Sequence, residues 1–167
     1  IITENQCYIK ISVLTDQIVR VRYGTDGNFE RDFSYALSSR FVPNADIATY
    51  IDNPNHVEIK TSAMIVNINK SESKIIFSDL EGKIICRDEK GFHWEENTIH
   101  GGNIVKMGKV VQEGEHFYGM GDKTMHLNLR GRRVTNWAMD TYGFKKNEDP
   151  IYKCIPFYTA VHNDRAY

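Results

Sequence analysis

The sequence predicts an all-β protein, an antiparallel sandwich or barrel, and three observations carry that prediction. Apolar and polar residues alternate with a period of two over several short segments, as strands with one buried and one wetted face require. Clusters of Gly, Asn, Asp and Pro separate these segments at spacings of about 8–12 residues, the interval of consecutive antiparallel strands. No window of twelve residues carries a convincing 3.6-residue apolar period, so no amphipathic helix competes for the same stretches.

In chain order, Cys7, Ile9, Ile11 and Val13 share one face of the first strand, with Tyr8, Lys10 and Ser12 on the other. Val19, Val21 and Tyr23 alternate with Arg20 and Arg22, and Gly24-Thr25-Asp26-Gly27-Asn28 ends that strand. After the turn residues Asp52-Asn53-Pro54-Asn55, Val57 and Ile59 alternate with His56, Glu58 and Lys60. Met64, Val66 and Ile68 continue the pattern against Asn67 and Asn69. Ile75-Ile76-Phe77-Ser78 and Lys83-Ile84-Ile85-Cys86-Arg87 flank Asp79-Leu80-Glu81-Gly82 and read as a hairpin with a four-residue turn. Lys90-Gly91 reads as a further turn.

The all-β character runs to Tyr118. From there to Pro156 the chain is rich in Gly, Arg, Asn, Asp and aromatic residues and loses its alternation. Trp137, Tyr142, Phe144, Ile151 and Tyr152 carry too much apolar surface to leave in water, so a structured, functional loop is the expectation. Phe157 to His162 then reads as a strand, Asn163-Asp164 as a turn, and Arg165-Ala166-Tyr167 as the opening of another strand.

At 167 residues the chain fits one domain with a core of useful size. Its 21 Lys+Arg against 22 Asp+Glu, a net charge of −1, argue against bulk binding to nucleic acid or to an anionic membrane. The apolar runs fall far short of the ~20 residues of a membrane-spanning helix. Cys7, Cys86 and Cys154 are odd in number, far apart and form no C-x-x-C pair, so buried, inert thiols are expected.

Few motifs carry chemistry. Gly119-Met120-Gly121-Asp122-Lys123 lacks the spacing of a phosphate loop and reads as a tight turn after a Phe117-Tyr118 strand. Arg130-Gly131-Arg132-Arg133 reads either as a salt-bridge hub with Asp122, Asp140 or Asp149, or as a solvated turn. His93-Trp94-Glu95-Glu96 with His100 matches no zinc spacing, and Asn69-Lys70-Ser71 is a short glycosylation sequon. There is no G-x-S-x-G elbow and no cysteine in a nucleophile context. The residues therefore assign no catalytic group, no metal and no cofactor. Asp140, between Trp137 and Tyr142, has the composition of a sugar site: a carboxylate accepts hydroxyl hydrogen bonds while ring faces cover apolar C–H surface. The alternative is a loop aspartate that caps a turn or pairs with an arginine.

The stretch from Phe117 to Tyr158 resembles the N-terminal domain of glycoside hydrolase family 31, the α-glucosidase family. The residues that carry the resemblance are Phe117-Tyr118-Gly119-Met120-Gly121-Asp122-Lys123-Thr124 and Arg130-Gly131-Arg132-Arg133-Val134-Thr135-Asn136-Trp137. They continue through Asp140-Thr141-Tyr142-Gly143 to Asp149-Pro150-Ile151-Tyr152-Lys153-Cys154-Ile155-Pro156-Phe157-Tyr158. Family members typically read F-Y-G-x-G-E-K-T, R-G-R-R-x-T-N-W-N-x-D-x-Y-G and D-P-L-Y-K-S-I-P-F at these places. Asp122, Ala138 and Cys154 depart from the usual Glu, Asn and Ser.

The resemblance implies a galactose-mutarotase-like β-sandwich over residues 1–167, ahead of a (β/α)8 barrel in which two Asp residues hydrolyse terminal α-linked glucose from oligosaccharides with retention. The W-x-D-M-N-E nucleophile motif and the βα repeats of that barrel do not occur in these residues, which are expected to be inactive alone and to stop short of the sandwich's C-terminal end. Its implied partners are its own C-terminal barrel and an α-glucoside oligosaccharide, with no role for nucleic acid or membrane. Loop 136–149 is expected to reach over the barrel mouth. By position, Asp140 matches the substrate-binding loop acid, Tyr142 and Thr141 are expected to bind substrate beside it, and Trp137 and Arg133 to anchor the loop. A free-standing carbohydrate-binding sandwich without hydrolysis is the alternative.

Overall fold

Alternation becomes strand pairing throughout. The structure is a computed structural model that describes residues 1–3, 7–31, 33, 35, 38, 45–163 and 165–167. Two compact units divide it, Ile1–Val110 and Val111–Tyr167. The first holds β1 (Tyr8–Val13), β2 (Val19–Gly24), β3 (Ala48–Asp52), β4 (His56–Thr61), β5 (Ile65–Asn69), β6 (Ile75–Ser78), β7 (Ile84–Glu96) and β8 (Asn103–Lys109). The second holds β9 (His116–Gly121), β10 (Cys154–His162) and β11 (Arg165–Ala166). The fold is all-β and every strand pair is antiparallel, as expected. Among the described residues no helix is long and apolar enough to cross a membrane.

In the first unit β3 to β8 form a six-stranded sheet in sequence order, and β1 and β2 form a separate ribbon. The faces read from the alternation are those that meet. Cys7 and Ile9 of the ribbon's edge pack with Val57, Ile59, Met64, Val66, Ile68 and Ile75 of the sheet, all buried. Val13, Val19, Val21 and Tyr23 lie against this cluster. Each fully buried Val or Ile side chain contributes about 1.5–3 kcal/mol by leaving water. On the ribbon's outer face Lys10 and Arg22 are cross-strand neighbours, and both lie over the Phe29 ring, at 5.9 and 5.2 Å from its centroid. Attraction to the ring face offsets part of the repulsion between these two like charges.

The β6–β7 hairpin has the expected turn. Asp79 Oδ1 accepts the backbone N–H of Glu81 at 3.1 Å and of Lys83 at 2.8 Å, and Gly82 takes a φ of 85°. The sequon asparagine also closes a turn: Asn69 Oδ1 accepts the Ser71 hydroxyl and the Glu72 N–H, both at 2.8 Å.

Several expectations need correction. Lys90-Gly91 is no turn but lies inside β7, where the pairing with β8 shifts register on either side of Lys90. Gly91 is required there because a Cβ would stand 2.3 Å from the Glu72 carbonyl oxygen of the β5–β6 turn packed over it. Of the cysteines only Cys7 is fully buried; Cys86 and Cys154 are half-buried. The glycines of Gly119-Met120-Gly121 do not turn the chain after a strand, because both belong to β9. They admit a close approach of β10: a Cβ on Gly119 would lie 2.7 Å from Phe157 O, and one on Gly121 would lie 2.3 Å from Lys153 O. Between them Met120 takes a φ of 69°, opposite the stretch where β10 breaks register between Cys154 and Tyr158.

In the second unit β10 is central, with β9 and β11 on either side. Arg165 does open a strand, paired with His162. Asn163 takes a φ of 49°, and Asp164, the other residue of that expected turn, lies outside the described residues.

Candidate functional site

Between β9 and β10 the chain makes a long excursion, residues 122–153, without a strand or helix. Its order comes from a few specific bonds. Where it leaves β9, Asp122 N–H donates to Lys153 O at 3.2 Å, which brings both ends of the excursion together. Next to this crossing Lys123 and Asp149 form an ion pair at 2.7 Å, with side chains only 6% and 9% exposed. Lys123 Nζ also donates to Thr135 O at 2.7 Å, and Asp149 Oδ2 accepts the Thr135 N–H. A buried pair survives desolvation only when its remaining hydrogen-bonding positions are filled, and Thr135 fills one on each partner. Thr124 reinforces the same foot, its hydroxyl donating to Glu148 O at 2.9 Å and its carbonyl accepting Asn147 N–H at 3.2 Å.

Thr135 and Asp149 are the two feet of loop 136–149, so one buried cation and one buried carboxylate fix where the loop starts and stops. Within it, Met139 N–H donates to Ile151 O at 3.3 Å, and the Tyr152 hydroxyl donates to Thr141 O at 2.6 Å. Phe144 and Tyr152 meet edge to face at 6.1 Å between ring centroids.

Upstream, Leu129 N–H bonds Phe117 O at 2.8 Å, and Asn128 Oδ1 accepts Phe117 N–H at 3.3 Å. Arg130 settles which reading of the arginine cluster holds: its guanidinium donates to the backbone carbonyls of Gln112 at 2.8 Å and Glu115 at 2.5 Å. Arg132 and Arg133 are exposed, and among the described residues neither makes an ion pair. The cluster is therefore a backbone clamp followed by two solvated arginines, and of the three aspartates it was read as pairing with, Asp122, Asp140 and Asp149, the last takes Lys123 instead.

The residues singled out from sequence fall as follows. Asp140 is exposed, and its carboxylate makes no hydrogen bond or ion pair among the described residues. Tyr142 is 99% exposed. Thr141 differs from both neighbours: its Oγ1 is buried and has no hydrogen-bond partner among the described residues, so its hydroxyl is turned inward in this chain. Trp137 is 69% exposed and Arg133 stands in solvent, so neither anchors the loop within these residues. That work falls to Lys123, Asp149 and Tyr152, because a buried ion pair and a phenol reaching a carbonyl can fix irregular backbone where an exposed indole cannot. Sequence reasoning left these three without such a role. The only available signal was Lys123 and Asp149 bracketing the stretch without alternation, and spacing does not tell which cation a carboxylate will meet.

Chemically, the loop presents in Asp140 a carboxylate without a partner among the described residues, together with open aromatic rings, a set that accepts hydroxyl hydrogen bonds and covers C–H faces. Among the described residues no three His, Cys, Asp or Glu side chains converge as a metal site needs.

Comparison with known proteins places the chain in a family. Residues 8–167 match the glycosyl hydrolase 31 N-terminal galactose mutarotase-like domain. Alpha-glucosidase 2 of Bacillus thermoamyloliquefaciens is 27% identical over 161 residues, covering 95% of this chain and 20% of that protein. An alpha-glucosidase of Saccharolobus solfataricus is 32% identical over 68 residues, 41% of this chain and 10% of the relative. The chain thus spans a fifth or less of the length of these curated relatives. Among solved structures, a family 31 dextranase of Flavobacterium johnsoniae in complex with glucose superposes with a TM-score of 0.77 at 27% identity, over 94% of this chain and 19% of the dextranase. A family 31 α-xylosidase of Xanthomonas citri shares the fold, with a TM-score of 0.64 at 20% identity over 78% of this chain and 14% of that one. The chain belongs to the glycosyl hydrolase 31 N-terminal galactose mutarotase-like domain family.

Proposed function

We propose that these residues are the N-terminal domain of an α-glucosidase that releases terminal α-linked glucose from oligosaccharides with retention, and that loop 136–149 supplies a substrate contact at the mouth of the enzyme's catalytic barrel. The observation that carries this reading is Asp140, a carboxylate with no partner among the described residues, exposed on a loop whose feet are locked by the buried Lys123–Asp149 pair. An exposed carboxylate that the fold does not use is open to a partner from outside it. Asp140 keeps its capacity for a partner outside it.

A sugar hydroxyl is such a partner. It donates to one carboxylate oxygen, while the open ring of Tyr142, two residues on, offers an apolar face to the sugar's C–H surface. Neither residue performs bond cleavage in this reading. The nucleophile and the general acid/base are two carboxylic acids of the barrel, acting by double displacement through a glycosyl-enzyme. The domain's share is to orient the substrate, and holding reactants in register is itself a large part of a rate enhancement. The names of the two α-glucosidase relatives favour glucose as the sugar.

The test uses the complete enzyme. A hydrogen bond to a charged group is worth about 1.5–3 kcal/mol, and each ~1.4 kcal/mol is tenfold in rate. Asp140→Ala is therefore expected to lower kcat/KM on maltose about 10–100-fold, with Asp140→Asn less severe. Wild-type kinetics for Asp140→Ala on maltose and longer α-glucosides would overturn the assignment.

A further inference from the structure

An exposed carboxylate on irregular backbone is a poor ligand unless the peptides on both sides of it are held, because a freely rotating loop must be ordered each time substrate binds. Both neighbours of Asp140 are held. The Met139 N–H is bonded to Ile151 O at 3.3 Å, and Thr141 O accepts the Tyr152 hydroxyl at 2.6 Å. Residues 139–141 are thereby strapped to two consecutive residues, 151 and 152, that lead into β10. Ile151 is buried, which fixes one of those two points. The Tyr152 ring is held edge-on by Phe144 at 6.1 Å and an interplanar angle of 78°, which directs its hydroxyl.

We propose that Tyr152 is a positioning residue for substrate binding: its hydroxyl sets the direction of the Asp140 carboxylate through the Thr141 carbonyl. The inference rests on the reading of Asp140 as a substrate contact. Tyr152 does not itself touch substrate. It acts through a main-chain oxygen on the residue next to the ligand. The geometry also explains why the Thr141 side chain is turned inward while its carbonyl is in use. With 139 and 141 tied to the 151–152 segment, residue 140 is left to project away from it.

Tyr152→Phe removes one oxygen and leaves the ring contact with Phe144, so it isolates the strap from the packing. The decisive measurement is a double-mutant cycle in the complete enzyme: wild type, Tyr152→Phe, Asp140→Ala and the double variant, each assayed for kcat and KM on maltose, with melting temperatures recorded alongside. Tyr152→Phe is expected to lower kcat/KM about 3–10-fold, the range of one neutral hydrogen bond. In the Asp140→Ala background the same change is expected to cost less than about twofold, because the group it orients is gone. A purely structural role would instead lower activity equally in both backgrounds. That additive outcome overturns the positioning role and leaves Asp140 as a substrate contact. Wild-type activity in Tyr152→Phe overturns it as well. Wild-type activity in Asp140→Ala overturns both readings together.

Discussion

Tyr23 of β2 and Phe92 of β7 stack with ring centroids 4.6 Å apart and planes within 8°, so one aromatic contact joins the ribbon to the sheet in the first unit. Burial pushes the Tyr23 phenol well above its ordinary range, and the negative charges of Asp88 and of ionised Cys7 push it further. Burial likewise raises the Cys7 thiol, against a smaller opposing hydrogen bond from the Gly24 backbone. In both cases the fold favours the neutral, protonated form. The unfolded chain therefore releases these protons first, Cys7 above about pH 8.5 and Tyr23 above about pH 10. Beyond those values the unfolded state binds fewer protons than the native one, so stability falls as pH rises. The urea midpoint is expected to stay level between about pH 7 and 8 and to decline above that range. Tyr23→Phe keeps the stack on Phe92 and should flatten the part of the decline above about pH 10. An equally steep loss in Tyr23→Phe would show that this phenol is not the group responsible.

The strands divide into those whose pattern announces them and those whose pattern does not. β4 and β5 alternate buried with half-buried or exposed residues, and the alternation is plain in their sequences. β3 and β8 are the two edges of the six-stranded sheet, and neither contains a buried residue. A strand with no buried face has no reason to alternate, which is why Ala48–Asp52 and Asn103–Lys109 pass unnoticed in the sequence. Face is thus an energetic statement that side-chain deletion can read. Ile68 of β5 is fully buried, and Ile76 of the neighbouring β6 points to the other, partly wetted face. Ile68→Ala is expected to cost about 2–5 kcal/mol of unfolding free energy, transfer and cavity together, and Ile76→Ala less than half as much. Chemical denaturation of the two variants measures both, and equal costs would contradict the assignment of faces.

At the scale of the whole chain, regular pairing and irregular loop coexist, and their local stabilities should differ accordingly. Amides of β4, β5 and β6 sit in the middle of the sheet over the buried cluster and are expected to exchange with solvent deuterium only on global unfolding. Amides of residues 142–144 lie in exposed, irregular chain and are expected to exchange orders of magnitude faster, with Thr135, Lys145 and Asn147, bonded to Asp149, Glu148 and Thr124, slower than their loop neighbours. Hydrogen-exchange mass spectrometry reads this directly, and uniform protection across the excursion would contradict it. Much of this organisation is legible in the residues themselves. Period-two alternation is a local property, so the central strands, their buried faces and the Asp79 turn follow from the order of residues. The F-Y-G-x-G, R-G-R-R and D-P-x-Y motifs identify the family without any coordinates. What tertiary structure alone decided is which distant groups meet: Lys123 with Asp149 rather than an arginine, the Tyr152 hydroxyl with Thr141 O, and Arg130 with two backbone carbonyls. These contacts join residues 11 to 26 positions apart through chain with no repeating pattern. In such chain the partner of a charge or a phenol is set by how the backbone closes on itself, which sequence spacing does not encode.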